Sequence, residues 1–133
     1  YVNARRTFTS TKIYNLSSMI FSVSIAGQKI MFLGDSQVDS NNQTATMYGS
    51  YLKSDIVQVA HHGGEGGTTS IYKVIDPDIA LFTTTDALLP LYLEFTYNDY
   101  LVNKLHVKEY YNAADRIYTW VLPYRPTGSG WVK

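Results

Sequence analysis

Apolar and polar residues alternate near the start of the chain in a way that predicts two β-strands joined by a tight turn. Within residues 19–25, apolar side chains occupy every second position, as in a strand with one covered face: Met19, Phe21, Val23 and Ile25. The turn is predicted at Gly27 and Gln28. Residues 29–33 after it are almost wholly apolar, which is typical of a strand covered on both faces.

Strand and helix patterns then follow each other along the chain. Apolar runs predict two further strands, over residues 55–60 and 78–85. Asp39 or Ser40 is expected to cap the first of the helices, and His106 lies on the last of them. Helical spacing or a helix cap marks three segments: residues 39–54, 68–76 and 97–107.

The end of the chain is predicted to be a hairpin followed by a tail. The hairpin has its turn at residues 112–115, and residues 125–133 form a frayed tail. Residues 86–95 show no regular pattern and are predicted to be a loop. The order β-β-α-β-α-β-α-β-β indicates a single α/β (α+β) domain over residues 1–133, with one mixed sheet and helices mainly on one face.

Composition and charge exclude several classes of protein. Eleven basic and eleven acidic residues cancel in this chain of 133 residues, so no overall charge favours nucleic acid or an anionic membrane as a partner. The absence of cysteine excludes disulfides, thiolate nucleophiles and cysteine-type zinc sites, and it leaves the cellular compartment open. The longest apolar run is far shorter than a membrane span.

Two motifs place metal-binding side chains just beyond the ends of predicted strands. Asp35 follows one strand in the sequence FLGD, and His61 and His62 follow the next in VAHHGG. Loops at the carboxyl ends of strands hold ligands in layered α/β folds, and carboxylate and imidazole groups suit zinc, manganese or iron. Each motif alone is more often a turn, a helix cap or a surface loop. Both motifs on consecutive strands favour a shared site.

Three stretches together resemble the C-terminal half of metallo-β-lactamase-fold hydrolases. They are NLSSMIFSVSIAGQKIMFLGDS, YLKSDIVQVAHHGGEGG and IYKVIDPDIALF. The similarity is to the branch whose last motif is His-His-Gly, as in the nuclease-like domain of DNA-uptake competence proteins. It extends over residues 15–79 and, more loosely, through the terminal hairpin. The resemblance implies a two-metal hydrolase whose complete fold is an αββα sandwich, of which this chain would be one half.

The resemblance also implies roles for the candidate site residues. In that family the carboxylate of the Gly-Asp motif bridges two metal ions, which assigns Asp35 as the bridging ligand. His62 is assigned as the terminal ligand because a small residue, here Gly64, follows it at plus two. His61 would then orient a ligand or contact the substrate, although the reverse order of the two histidines stays open. The complete parent site would hold two zinc ions, with manganese or iron as alternatives.

The family's N-terminal motif, His-x-His-x-Asp-His, has no counterpart in this chain. Asp35 and His62 cannot hold two metals by themselves, because even one catalytic zinc ion takes three protein ligands. The chain is therefore expected to be inactive, and to bind no metal firmly, without a missing N-terminal half. Tyr1 in place of a methionine favours truncation of a longer protein, and a naturally short protein is the alternative.

The expected activity of the parent protein is metal-dependent hydrolysis of a phosphoester or phosphodiester. The substrate stays open between nucleic acid, a phosphorylcholine-type ester and a cyclic nucleotide. The alternative is a non-catalytic assembly or binding module. Half of a sandwich exposes an apolar sheet face, which predicts self-association as a homodimer. Carbohydrate binding by the tyrosine-rich C-terminal bands is a third hypothesis.

Overall fold

The computed structural model describes residues 13–105, 107–114 and 116–130, and its five strands form one mixed sheet. The first two strands pair as an antiparallel hairpin, and the second to the fifth run parallel to each other in sequence order. The strands are β1 (Phe21–Ile25), β2 (Gln28–Phe32), β3 (Ile56–Gln58), β4 (Ile79–Phe82) and β5 (Glu109–Asn112).

Helices lie in the connections between the parallel strands, which such pairing requires. Five helices precede or connect the strands: α1 (Ile13–Leu16), α2 (Val38–Tyr48), α3 (Thr69–Ile75), α4 (Leu89–Leu93) and α5 (Thr96–Asp99). A 3₁₀ turn, Gly49–Leu52, follows α2, and a π-helical turn, Tyr100–Lys104, continues α5. The predicted α/β class, with helices packed on one mixed sheet, is confirmed. No helix in the described ranges is long and apolar enough to cross a membrane.

The two faces of the sheet are covered in different ways. On one face, buried strand residues and buried helix residues form a single apolar cluster that includes Met31, Val57, Ala80, Ile71, Tyr72 and Leu101. Burying each aliphatic side chain of this kind stabilises the fold by about 1.5–3 kcal/mol. The opposite face carries a smaller cluster, in which Ile56, Ile79 and Tyr111 are covered by the C-terminal segment through Tyr118, Trp120 and Tyr124.

The prediction of a terminal hairpin around residues 112–115 is wrong. β5 pairs with β4 in parallel, and no strand follows β5 among residues 116–130. The rings of Tyr118 and Trp120 instead pack on the ring of Tyr111, each with 5.0 Å between ring centroids. The apolar alternation that suggested a second strand therefore reflects half-buried aromatic side chains packed on the sheet and not backbone pairing.

Other boundaries differ locally from the sequence predictions. Helix α4 lies within residues 86–95, where a loop was predicted, because Pro90 fits the first helical turn and Leu89 is buried. The first hairpin turns at Ala26 and Gly27, both with positive φ, as a two-residue turn requires. The N-cap residue of α2 is Gln37, two residues before the earliest predicted cap. The predicted helical residue His106 lies outside the described residues.

A buried carboxylate holds the C-terminal segment on the sheet. Glu109 is fully buried, and its Oε2 accepts hydrogen bonds from the hydroxyls of Tyr111 (2.6 Å) and Tyr124 (3.0 Å). Its Oε1 accepts from the backbone N–H groups of Thr127 (2.6 Å) and Gly128 (2.5 Å). Within the segment predicted to be a frayed tail, residues 125–133, the backbone of Thr127 and Gly128 is thus bonded to the sheet.

These four hydrogen bonds also set the titration of Glu109. Burial raises the pKa of the Glu109 carboxyl, but the hydrogen bonds to the charged form outweigh burial and hold this pKa below its ordinary value. A carboxyl with a lowered folded-state pKa contributes stability above its unfolded pKa and loses it as the pH falls through the folded pKa. Glu109 therefore stabilises the fold at neutral pH and stops doing so in acid.

Replacing this carboxylate tests its role directly. Glu109→Gln is expected to lower the free energy of unfolding at pH 7 by about 1–3 kcal/mol. The amide N–H₂ group is a hydrogen-bond donor, so it cannot accept from the donors that face the carboxylate oxygen it replaces. Urea unfolding at several pH values measures this, and the difference from wild type should shrink as the pH falls. Glu94→Gln, at an exposed position, is the matched control. Equal effects of the two substitutions would contradict the assigned role of Glu109.

Candidate functional site

The candidate site lies where neighbouring parallel strands end. Asp35 follows β2, His62 follows β3 and Thr83 follows β4 directly. Because β2, β3 and β4 are adjacent and parallel, these three side chains lie at the same edge of the sheet. The Asp35 Oδ1 atom is 3.1 Å from His62 Nε2. The structure thus brings together the two residues to which the sequence assigned the metal-binding roles.

The imidazole of His62 is fixed from both sides. Its Nδ1 is 2.9 Å from Thr83 Oγ1, while its Nε2 faces the Asp35 carboxylate. The His62 side chain is 51% exposed and the Asp35 side chain 42% exposed, so a ligand can reach both. A hydrogen-bond partner on the far ring nitrogen fixes the orientation and tautomer of a metal-binding histidine, and Thr83 is placed to act in that way.

The Asp35–His62 spacing suits a shared metal ion. The carboxylate oxygen and an unprotonated Nε2 both carry lone pairs, so a proton or a cation must lie between them. Two ligands of one tetrahedral zinc ion, each about 2.0–2.1 Å from the metal, are about 3.3 Å apart. The donor types and their separation therefore fit part of a zinc site.

His61 is held away from this pair. Its Nδ1 lies 2.5 Å from Gln37 Nε2 and 2.8 Å from the backbone oxygen of Glu65. The His61 and His62 rings are 6.1 Å apart between centroids, and their planes are inclined at 64° to each other. His61 therefore contacts the α2 cap residue and the following loop, whereas His62 contacts Asp35 and Thr83.

The backbone of the His-His-Gly turn is strained. His61 (φ 50°), His62 (φ 60°) and Gly63 (φ 92°) are three consecutive residues in left-handed conformation. Each non-glycine residue held in this region costs of order 1–3 kcal/mol, and such strain concentrates at functional sites. Two side chains hold the turn in place: Asn98 Nδ2 donates to the Gly63 oxygen at 2.7 Å, and Tyr97 Oη donates to the Gly64 oxygen at 2.8 Å.

The glycines after the turn serve close packing within the protein. A Cβ on Gly66 would lie 2.5 Å from the backbone oxygen of Ser36, and one on Gly67 would lie 2.7 Å from the Tyr72 hydroxyl. Asn41, fully buried on α2, donates to the Gly66 oxygen at 2.8 Å. The loop therefore lies directly against the Asp35 turn, which fixes the separation of the two motifs.

Two grooves open on either side of His62. One, of about 400 Å³, is lined by His61, His62, Gly64, Glu65, Tyr92 and Phe95. The other, of about 390 Å³, is lined mainly by His62, Thr83, Thr84, Thr85, Leu88 and Tyr92. Both volumes lie in the range of small-molecule sites, roughly 300–1,000 Å³. His62 and Tyr92 line both grooves, so a ligand bound at His62 has space for a substituent on each side.

Sequence reasoning missed three residues of this site. Thr83 carried a usable signal, since it follows β4 as the two motifs follow β2 and β3. Gln37 and Tyr92 carried none, because their contacts depend on how α2 and α4 pack.

The pair of ligands is incomplete as a metal site. No group of three or more His, Cys, Asp or Glu side chains within the described ranges could hold a metal ion. In the remaining fifteen N- and C-terminal residues and two internal ones, only His106 and Asp115 are of these types. Since a catalytic zinc ion takes three protein ligands, Asp35 and His62 would not form a catalytic zinc site by themselves.

No protein-family model matches the chain, and no curated protein matches it. The candidate site therefore rests on the residues and distances described above.

The close packing of the glycine loop can be tested by one methyl group. Gly66→Ala is expected to lower the free energy of unfolding by about 1–3 kcal/mol, because its Cβ would meet a backbone oxygen that cannot move freely. Gly64→Ala is the matched comparison, since its Cβ would lie 3.2 Å from the nearest atom, the His61 oxygen. Urea unfolding measures both variants. A smaller loss in Gly66→Ala than in Gly64→Ala would show that the loop does not pack as described.

Proposed function

We propose that this chain is the C-terminal portion of a metal-dependent hydrolase of the metallo-β-lactamase fold, acting on a phosphoester or phosphodiester. Asp35 would be the bridging ligand of its dinuclear site and His62 the terminal ligand. The observation that carries the proposal is the 3.1 Å contact between Asp35 and His62 at the ends of neighbouring strands. These are the two residues that the resemblance in sequence assigns to the metals.

The fit of the donor set supports zinc, with manganese or iron as alternatives. When bound, such a metal supplies Lewis-acid chemistry that activates water and polarises a phosphoryl oxygen. The residues of this chain would hold the metal and orient the groups around it. Thr83 fixes the His62 ring, Asp35 presents a half-exposed carboxylate that can accept a hydrogen bond from water, and the two grooves give space for the two substituents of a diester.

The same proposal makes the isolated chain incomplete. Two ligands are fewer than the three that a catalytic zinc ion takes, so an N-terminal half of the same protein would supply the others. The part of the second sheet face that the C-terminal segment leaves uncovered, at Phe21, Val23 and Ile25, would be the surface on which that half packs, as sheets pack in a sandwich. In this proposal His61 positions the loop or contacts the substrate and is not itself a ligand.

A second candidate function is a non-catalytic assembly module, which an exposed apolar surface favours. Four apolar residues at the start of the sheet are between 41% and 59% exposed: Met19, Phe21, Val23 and Ile25. Their register places the last three on the same face as Ile30 and Ile56. Contiguous exposed apolar residues mark interaction surfaces in soluble proteins, and the partner that we propose for this module is a second copy of the chain. Absence of any metal response at Asp35 and His62 would favour this candidate.

Zinc binding by the chain separates the two candidates. We expect weak binding that Asp35→Asn and His62→Gln each reduce at least about tenfold, because each removes a ligand. Competition with a chromophoric chelator gives the affinity, and the NMR signals of the His62 ring report weak occupancy. Asp39→Asn and His61→Gln are the matched controls. Unchanged zinc affinity in the Asp35→Asn/His62→Gln double variant would exclude the site. Loss of zinc affinity only in His61→Gln would mean that His61, and not His62, is the ligand.

Hydrolysis of bis(4-nitrophenyl) phosphate with zinc or manganese tests the reaction. The chain alone is expected to show no turnover above the metal salt, because its site lacks ligands. A longer polypeptide that adds the family's N-terminal motif should show turnover, which His62→Gln lowers at least about tenfold. Turnover by the chain alone that survives His62→Gln would place the chemistry elsewhere in the molecule.

A further inference from the structure

We propose that β1 is a self-pairing edge: two copies of the chain associate by antiparallel pairing of β1 with β1 about a two-fold axis at Val23, which joins their sheets. This goes beyond the proposed hydrolase function and does not depend on it. It also differs from face-to-face packing of two sheets, because the contact is made by backbone hydrogen bonds along the strand edge.

The first observation is that no described residue pairs with the outer edge of β1. β1 is the first strand of the sheet and pairs only with β2 among the described strands. All five of its residues are exposed, whereas all four residues of β5, at the other side of the sheet, are buried. Proteins usually protect such edges with charge, proline or a bulge. The sequence Phe-Ser-Val-Ser-Ile has no charge and no proline, and its register with β2 has no bulge.

The second observation concerns which backbone groups face outward. Lys29 donates its backbone N–H to Asp55 Oδ2 and accepts from the Asp55 N–H, so its backbone faces β3. Ser24, opposite Lys29, is therefore in a non-hydrogen-bonded pair with β2. Alternation along the strand gives Ser22 the same orientation. The N–H and C=O groups of Ser22 and Ser24 thus point away from β2, and no backbone group among the described residues pairs with them.

The third observation is that the strand is complementary to itself. An axis at Val23 places Ser22 of one copy opposite Ser24 of the other, so that the outward-facing groups exchange hydrogen bonds in pairs. On one face of the joined sheet Val23 then meets Val23, and Phe21 meets Ile25. On the other face the serines meet. Apolar residues oppose apolar residues, and no like charges face each other.

Five-residue pairing gives a small interface. Stable dimers bury roughly 1,200–2,000 Å² in total, and one strand pair with its side chains falls below this range. We therefore expect a reversible dimer of micromolar affinity and not an obligate one. Because the contact uses the edge of the sheet, it leaves the carboxyl ends of β2, β3 and β4 open.

Sedimentation velocity of the whole chain over a range of concentrations tests the proposal. Val23→Lys places two like charges opposite each other and is expected to weaken the dimer at least roughly tenfold. Val23→Glu should do the same, and an equimolar mixture of the two variants should associate again as a heterodimer. Val38→Lys is the matched control, because Val38 is an equally exposed apolar residue on α2 (46%, against 41% for Val23). Its dimer should be unchanged.

Ser24→Pro separates edge pairing from packing between sheet faces. Proline removes an N–H that points away from β2, so the hairpin keeps its own hydrogen bonds while the dimer loses two by symmetry. The dimer is expected to weaken roughly tenfold or more, with circular dichroism confirming the fold. A monomer at all concentrations, a dimer unaffected by Ser24→Pro, or failure of the Lys and Glu variants to associate would each overturn the proposal.

Discussion

The parallel register of β2, β3 and β4 determines where each candidate site residue lies. Ile30, Ile56 and Ile79 are aligned across the three strands, so the strands end at the same edge. One side chain strengthens this alignment: Gln58, the last residue of β3, accepts the backbone N–H groups of Leu33 (3.1 Å) and Gly34 (2.8 Å) at the end of β2. These two hydrogen bonds fix the Asp35 turn relative to β3, independently of any contact between the site side chains themselves.

The coverage of the two sheet faces gives the molecule its asymmetry. The helices complete one face, whereas the C-terminal segment, held by Glu109, covers only part of the other. An incomplete ligand set and a partly uncovered sheet face are two separate observations, and one missing layer would account for both in the proposed hydrolase. Pairing through β1 uses the edge of the sheet and not this face. The two proposals therefore make different demands on the same molecule and can both hold.

Sequence patterns predicted the core of this fold because its strands have the periodicities that burial imposes. β2 and β3 read as apolar runs, and Asp35 and His62 were expected to meet because both follow neighbouring strands. The pattern failed at the C-terminal end, where Tyr118 and Trp120 alternate as in a strand but pack by their rings on Tyr111. Periodicity records which side chains are buried and not which backbone groups are paired, so it could not separate these two structures.

The different roles of the two adjacent histidines depend on backbone geometry that no sequence pattern encodes. With left-handed φ angles at both positions, the two side chains diverge: His61 contacts Gln37 and the following loop, and His62 contacts Asp35 and Thr83. In an ordinary extended strand, two successive side chains would also point to opposite faces of the sheet. Only one of the two imidazoles would then lie at the edge of the sheet that carries the site. The strained turn instead keeps both imidazoles beside the same groove. Asn98, which is buried and donates to the Gly63 oxygen, therefore contributes to the site indirectly, by holding the backbone of this turn.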